Sequence, residues 1–336
     1  MTDPAIDGPH LPARGAGTAV RRRAALLAGA SWVLAGNKRA GAATLAIHPA
    51  ERTPFATTQM ILAVARAGAR IVAVGDRGVV LLSDDDGANF RQARFVPAQA
   101  ALTTVAFADA HTGIAGGQWG VLLRTDDGGE TWRLLRSDLG TDRPIFSVAY
   151  VGPDHAIAVG LWSLLLETRD GGASWQERQL APPPGSTRAD LNLTCIFGNG
   201  RTLFITAEGG KLLRSDDHGA SWTYVETGYG GTFWTGTMLR DGTLLIGGLR
   251  GTIYSSTDRG STWRPVPTDR RSSVTAFAQT ADGTVVASAL DGVLLTSRDD
   301  GASFVSSQRD DRLALTTVLA KGKASVVIFS KRGVAQ

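Results

Sequence analysis

The sequence predicts an all-β chain: a seven-bladed β-propeller of four-stranded antiparallel blades, closed by an N-terminal strand that completes the last blade. Three observations carry this. One short phrase recurs six times at near-constant spacing, four strand-like runs accompany each recurrence, and no segment sustains a helical period.

The phrase reads SDDDGANF at 83–90, TDDGGETW at 125–132, TRDGGASW at 168–175, SDDHGASW at 215–222, STDRGSTW at 256–263 and SRDDGASF at 297–304. Its frame is Ser/Thr-x-Asp-x-Gly-x-Ser/Thr/Asn-Trp/Phe. The closing aromatics Phe90, Trp132, Trp175, Trp222, Trp263 and Phe304 lie 42, 43, 47, 41 and 41 residues apart. A period of this length, repeated in register, marks an array of small supersecondary units.

Within the second unit the strand-like runs are Thr103–Phe107, Thr112–Gly117, Gly120–Arg124 and Trp132–Leu135, with Gly and Asp in the gaps. Four antiparallel strands every 40–45 residues make a propeller blade. After Phe304 come three further runs, Leu313–Lys321, Ser325–Ser330 and Gly333–Val334. The segment VVIFSKRGV (326–334) matches IVAVGDRGV (71–79), which makes a seventh unit without its Asp phrase. Thr44–Ile47 is expected to supply the missing strand, closing the ring and removing a free edge.

Residues 1–42 are read as an export leader and 43–336 as the propeller. Arg21-Arg22-Arg23 precedes an apolar run, Ala24–Gly36, that is too short to span a bilayer and is followed by Ala40-Gly41-Ala42. The arrangement resembles a twin-arginine signal. It implies a periplasmic destination, or the thylakoid lumen in a photosynthetic host. The leader also explains the net charge of +4. It holds six basic and two acidic groups, leaving 29 of each in the remainder. A neutral body gives no net-charge support for a nucleic-acid partner. Cys195 is alone, so it forms no intrachain disulfide, and the five His residues make no zinc spacing. No metal, small-molecule cofactor or Gly-rich phosphate loop is expected.

The repeated phrase is the Asp-box of sialidase-type (BNR) repeats. With seven units, a leader and the strand–Gly–x–x–Gly–strand–Asp-box layout, the chain resembles the photosystem II assembly/stability factor family over about residues 44–336. The resemblance implies a monomeric, non-catalytic propeller that binds a membrane protein or its assembly intermediate. Two other roles stay open, an accessory protein of a bacterial export system and a sialidase-like glycoside hydrolase. No lipidation cysteine follows the leader, unlike in some members.

Asp85, Asp127, Asp170, Asp217, Asp258 and Asp299 are read as turn-formers, because six copies around a ring cannot converge on one site. The turns between second and third strands are more informative, since they share a face with the inter-blade connections, opposite the Asp boxes. Their tips carry Arg77, Trp119, Trp162, Gly209, Arg250, Asp291 and Arg332. Trp and Arg are enriched at binding hot spots, so Arg77, Trp119, Trp162, Arg250 and Arg332 are the candidate partner-binding residues. The long connection 178–192, with Pro182-Pro183-Pro184, is expected to overhang the same face. A sialidase would need an arginine cluster and a Tyr–Glu pair. Only Tyr229 and Glu208 are placed to share a face, while the geometry of Asp241, Asp282 and Asp291 is open.

Overall fold

The computed structural model describes residues 46–335, and the leader lies outside the described residues. Those residues form seven antiparallel sheets, six with four strands and one with three. The first strands of the sheets are β1 (Ile61–Ala67), β5 (Leu102–Phe107), β9 (Ile145–Tyr150), β13 (Leu193–Asn199), β17 (Phe233–Met238), β21 (Val274–Gln279) and β25 (Leu315–Lys321). Each touches the next, and β25 touches β1, so the sheets stand as blades around a closed ring. The four strands of the second blade start and end within two residues of the sequence-based expectation.

Burial follows from the stacking. A second strand has a neighbouring blade on each face and reads as a continuous apolar run, as in β10 (Ala156–Gly160) and β18 (Leu244–Gly248), both buried throughout. Fourth strands lie at the rim and are the more exposed, fully so in Gln176–Glu177. The core is therefore a set of clusters between blades. Val72, Leu82, Leu102 and Leu123 join the first two, and Phe204, Phe233 and Leu244 join the fourth and fifth. Hydroxyls tie the inner strands together. Thr194 Oγ1 donates to the Phe233 carbonyl at 2.7 Å, and Thr275 Oγ1 to that of Leu315 at 3.2 Å.

The Asp boxes form one network six times over. In the fifth blade Gly260 N–H donates to Ser256 Oγ (2.8 Å) and Ser256 Oγ donates to Asp258 Oδ1 (2.8 Å). Thr262 gives its N–H to Oδ1 (2.9 Å) and its hydroxyl to Oδ2 (2.6 Å). Every carboxylate oxygen is occupied by its own turn, as the turn-former reading requires. Two successive left-handed residues, such as Arg259 and Gly260, push each box against the preceding blade. A Cβ on Gly260 would lie 2.5 Å from the ring of Phe204, and one on Gly219 would lie 2.3 Å from Ile157.

The same contact closes the ring. A Cβ on Gly87, in the first box, would lie 2.5 Å from Val327 Cγ2, in the seventh blade. Phe90 packs edge-on against Phe329 with centroids 5.7 Å apart, and Gly322 N–H donates to Asp86 at 3.0 Å. Among the described residues no N-terminal strand pairs with the seventh blade. Thr44 lies outside the described residues, and Ala46 and Ile47 are not in a strand. Ile47 packs on the core between the first two blades, and His48 accepts from Gln99 N–H at 2.6 Å. The seventh blade keeps three strands, β25, β26 (Ser325–Ser330) and β27 (Gly333–Ala335). The first Asp box packs on this blade from one side, and an N-terminal 3-10 turn, Ala56–Thr58, packs on β27 where a strand was expected.

Candidate functional site

One hydrogen bond fixes the face opposite the Asp boxes. In each blade the first residue of the second-to-third-strand turn donates its N–H to the carbonyl just before the first strand. Examples are Asp76 to Met60 (2.9 Å), Leu161 to Pro144 (3.1 Å) and Lys331 to Ala314 (3.1 Å). The turn tips and the incoming connections therefore share one face.

At the tips Arg77, Trp119, Trp162, Arg250 and Asp291 have φ between 52° and 59°. This left-handed region costs an L-residue with a Cβ roughly 1 kcal/mol, and glycine nothing. The fourth blade has the relaxed choice, Gly209. The same left-handed conformation is held by Asp86, His218, Arg259 and Asp300 in the Asp boxes, so what sets the turn face apart is its Trp and Arg side chains. Arg332 differs. It is absent from the left-handed region, where Gly333 stands instead.

The candidates do not share one environment. Arg77 is 74% exposed, with Asp76 4.0 Å away, and Trp162 is 56% exposed. Arg250 and Arg332 are exposed. Trp119 is half-buried. Its ring packs on the core between the first two blades, and its carbonyl accepts from Asp138 N–H at 2.6 Å.

The long connection reaches the same face. Asn192 Oδ1 accepts from Trp162 N–H at 3.3 Å, and the Leu191 carbonyl accepts from Ser163 N–H at 2.7 Å. Between this connection and Trp162 lies a groove of about 650 Å³, lined by Leu180, Pro182, Arg188 and Asp190. Arg188 is 82% exposed, and the Asp190 carboxylate lies 3.9 Å from it. Sequence alone did not single out Leu180 or Arg188. The Pro run marked the loop, and only its return over Trp162 defines a groove. Leu62, Phe146 and Trp234 were also missed. They are half-buried at the register position filled by hydroxyl residues such as Thr194 and Thr275 in other blades.

The acidic residues weighed for hydrolysis are engaged separately. Glu208 accepts from Asn192 N–H (2.9 Å) and Nδ2 (3.1 Å), while the Tyr229 hydroxyl accepts from Thr252 Oγ1 at 3.3 Å. Asp241 holds Thr243, Asp282 holds Thr280 and Thr284, and Asp291 accepts from Ser272. The seven first strands contain no Asp or Glu. Glu167 is the one buried acid among the described residues. Arg169, Arg178 and His155 lie 2.6, 2.9 and 2.9 Å from its oxygens. Desolvation, with Arg169 nearby, lowers the pKa of His155. No cluster of metal-ligating residues occurs among the described residues. Cys195 packs against the cluster between the fourth and fifth blades, and burial pushes its thiol pKa up.

Comparison with known proteins now bears on this geometry. Residues 129–311, more than half of the sequence, match the family model described as "Photosynthesis system II assembly factor YCF48". The chain belongs to this family. Among solved structures, it is similar to a YCF48 bound to D1 peptide, at 17% identity and a TM-score of 0.68, over 86% of this chain and 98% of that one. It is also similar to YCF48 from Cyanidioschyzon merolae, at 16% identity and a TM-score of 0.64, over 84% of this chain and 95% of that one. A third, the β-propeller domain of Cps50 (Swd1) from Myceliophteria thermophila, gives 15% and 0.64, over 85% and 96%. At these identities the structures share the fold. No curated protein matches the sequence.

Proposed function

We propose that this chain is an exported, monomeric, non-catalytic propeller that binds a membrane protein, or an intermediate in its assembly, on the face bearing the second-to-third-strand turns. The observation that carries the reading is the set of left-handed Arg and Trp residues at those turn tips. Arg77, Trp162, Arg250 and Arg332 offer exposed cationic and aromatic area, and Trp119 adds the half-buried edge of its ring. Aromatic anchors supply desolvated area, while guanidinium groups orient carboxylates and carbonyls of a partner segment. Family membership supports an assembly role, and a relative bound to D1 peptide supports a peptide of a membrane protein as ligand. Support for non-catalysis is the separate engagement of the acids, since glycoside hydrolysis needs two carboxyl groups flanking one bond, about 5–10 Å apart. Export rests on the leader.

The test is capture of detergent-solubilised membrane proteins by the chain and by a variant with all five candidates replaced by alanine. The variant is expected to lose the captured membrane protein while keeping its fold. Unchanged capture, or glycosidase turnover by the parent chain, overturns the reading. Cell fractionation tests export separately.

A further inference from the structure

The turn face is not electrically uniform. The fifth, sixth, seventh and first blades, which are neighbours in the ring, bring Arg250, Arg271, Arg312, Lys331, Arg332 and Arg77 to it, all exposed. Arg271 and Arg312 lie on the connections into the sixth and seventh blades, beside the turn tips. Arg250 N–H donates to Ser273 Oγ at 3.2 Å, and a Cβ on Gly292 would lie 3.0 Å from Arg312 Cα. Among the described residues, only Arg77 of these six has a carboxylate within 4.0 Å. The acids of the same segments are mostly held. Asp76 accepts from Arg77 N–H (2.9 Å), Asp269 from Ser306 (2.7 Å), Asp291 from Ser272 (3.1 Å) and Asp311 from Arg309 (3.0 Å), which leaves Glu51 and Asp310. An exposed ring sits among these cations. A Cβ on Gly78, in the Arg77 turn, would lie 2.9 Å from Ala50 Cβ, and one on Gly333, beside Arg332, would collide with the Thr57 carbonyl. Phe55, between these two contacts in the chain, is 69% exposed.

The cations stand on four consecutive blades, so they trace an arc of the ring and not a point. A single extended peptide would oppose a few of them, whereas a layer of lipid phosphates opposes them all. Basic side chains near an anionic bilayer are attracted to its surface, and an aromatic ring beside them fits the boundary between headgroups and acyl chains. A soluble acidic segment held by the arginines would leave the Phe55 ring in water. We infer that this arc docks on an anionic phospholipid surface, with Phe55 entering the headgroup layer. The inference rests on the turn face being directed at a membrane, as proposed above, and adds lipid as a second ligand. Trp119 and Trp162, on the second and third blades, lie outside the arc and stay available to the protein partner.

The test is flotation of the full chain with vesicles of phosphatidylcholine alone and of phosphatidylcholine with about one third phosphatidylglycerol. The leader is itself basic, so Arg21, Arg22 and Arg23 are replaced by glutamine in every chain compared. Binding is expected to the phosphatidylglycerol vesicles only. It should vanish as salt rises from about 0.05 M to about 0.5 M, where screening shortens to about 4 Å. Amide exchange should slow over residues 50–59, 267–273 and 309–312 when these vesicles are added, and not in the Asp boxes. Each cation near such a surface contributes about fivefold, so Arg271→Gln with Arg312→Gln and Lys331→Gln should weaken binding roughly a hundredfold. Phe55→Ala should weaken it about tenfold. Equal binding to both vesicle types, unchanged binding by the triple variant, or no slowing in these segments overturns the inference. Saturable binding of a blocked oligoglutamate peptide without vesicle binding also overturns it and assigns the arc to a protein. None of the three glutamine positions is among the five changed in the capture test, so vesicle binding that fails while capture persists overturns this inference alone.

Discussion

If box-to-blade packing closes the ring, crowding that contact should cost more than straining a backbone elsewhere. Gly87 (φ 86°) and Gly242 (φ 91°) are both left-handed, so alanine strains each backbone alike. At Gly242 nothing lies within 4 Å of the new Cβ, and the expected cost is the backbone term, about 1 kcal/mol. At Gly87 the Cβ would sit 2.5 Å from Val327 Cγ2, and overpacking adds about 1–3 kcal/mol. Gly87→Ala should therefore lose about 2–4 kcal/mol against about 1 for Gly242→Ala. The assay is the urea midpoint at constant slope, with Val327→Ala completing a double-mutant cycle. Val327→Ala removes the clashing methyl, so the double variant should be about 1–3 kcal/mol better than additive. If Gly87→Ala is no worse than Gly242→Ala, or the cycle is additive, the ring is not closed by this contact.

Ser256→Ala leaves the Gly260 N–H without an acceptor at a site where Ser256 is 3% exposed, and should cost about 1–3 kcal/mol in thermal or urea unfolding. Ser256→Thr should be nearly neutral, because Thr125 and Thr168 hold the same place in other boxes. Asp85, Asp170, Asp217 and Asp299 have pKa values lowered from 3.8 to about 2, chiefly by bonds from Asn89, Ser174, Ser221 and Ser297. A lowered native pKa gives stability that is complete above the unfolded value and lost as pH falls through the native one. The urea midpoint should thus fall steeply between about pH 4 and pH 2, and a flat midpoint there would refute the assignment. Trp162→Ala alone should reduce membrane-protein capture more than Trp119→Ala, because the Trp162 ring is exposed and that of Trp119 packs on the core.

The blade was legible because its period and punctuation are local. Each Ser/Thr–Asp–Gly–aromatic phrase determines one turn, and six copies determine where the strands between them fall. The closing contact was not legible. The free half-blade invited a strand from the N-terminus, since that removes an edge. The alternative depends on a shape complementarity between Gly87 and Val327, 240 positions apart, that no local pattern encodes. The turn face was half legible. Position at the second-to-third-strand turns identified Trp119 and Trp162 equally, but only packing separates the half-buried ring from the exposed one.

Net charge shows the same limit from another side. A body with 29 charges of each sign reads as featureless, and as a statement about nucleic acid that sum is fair. A sum carries no positions. Acids placed within ring turns, such as Asp85 and Asp217, are consumed by their own boxes. Those acids count in the sum yet face their own turns, so the sum says nothing of where free charge lies on the surface.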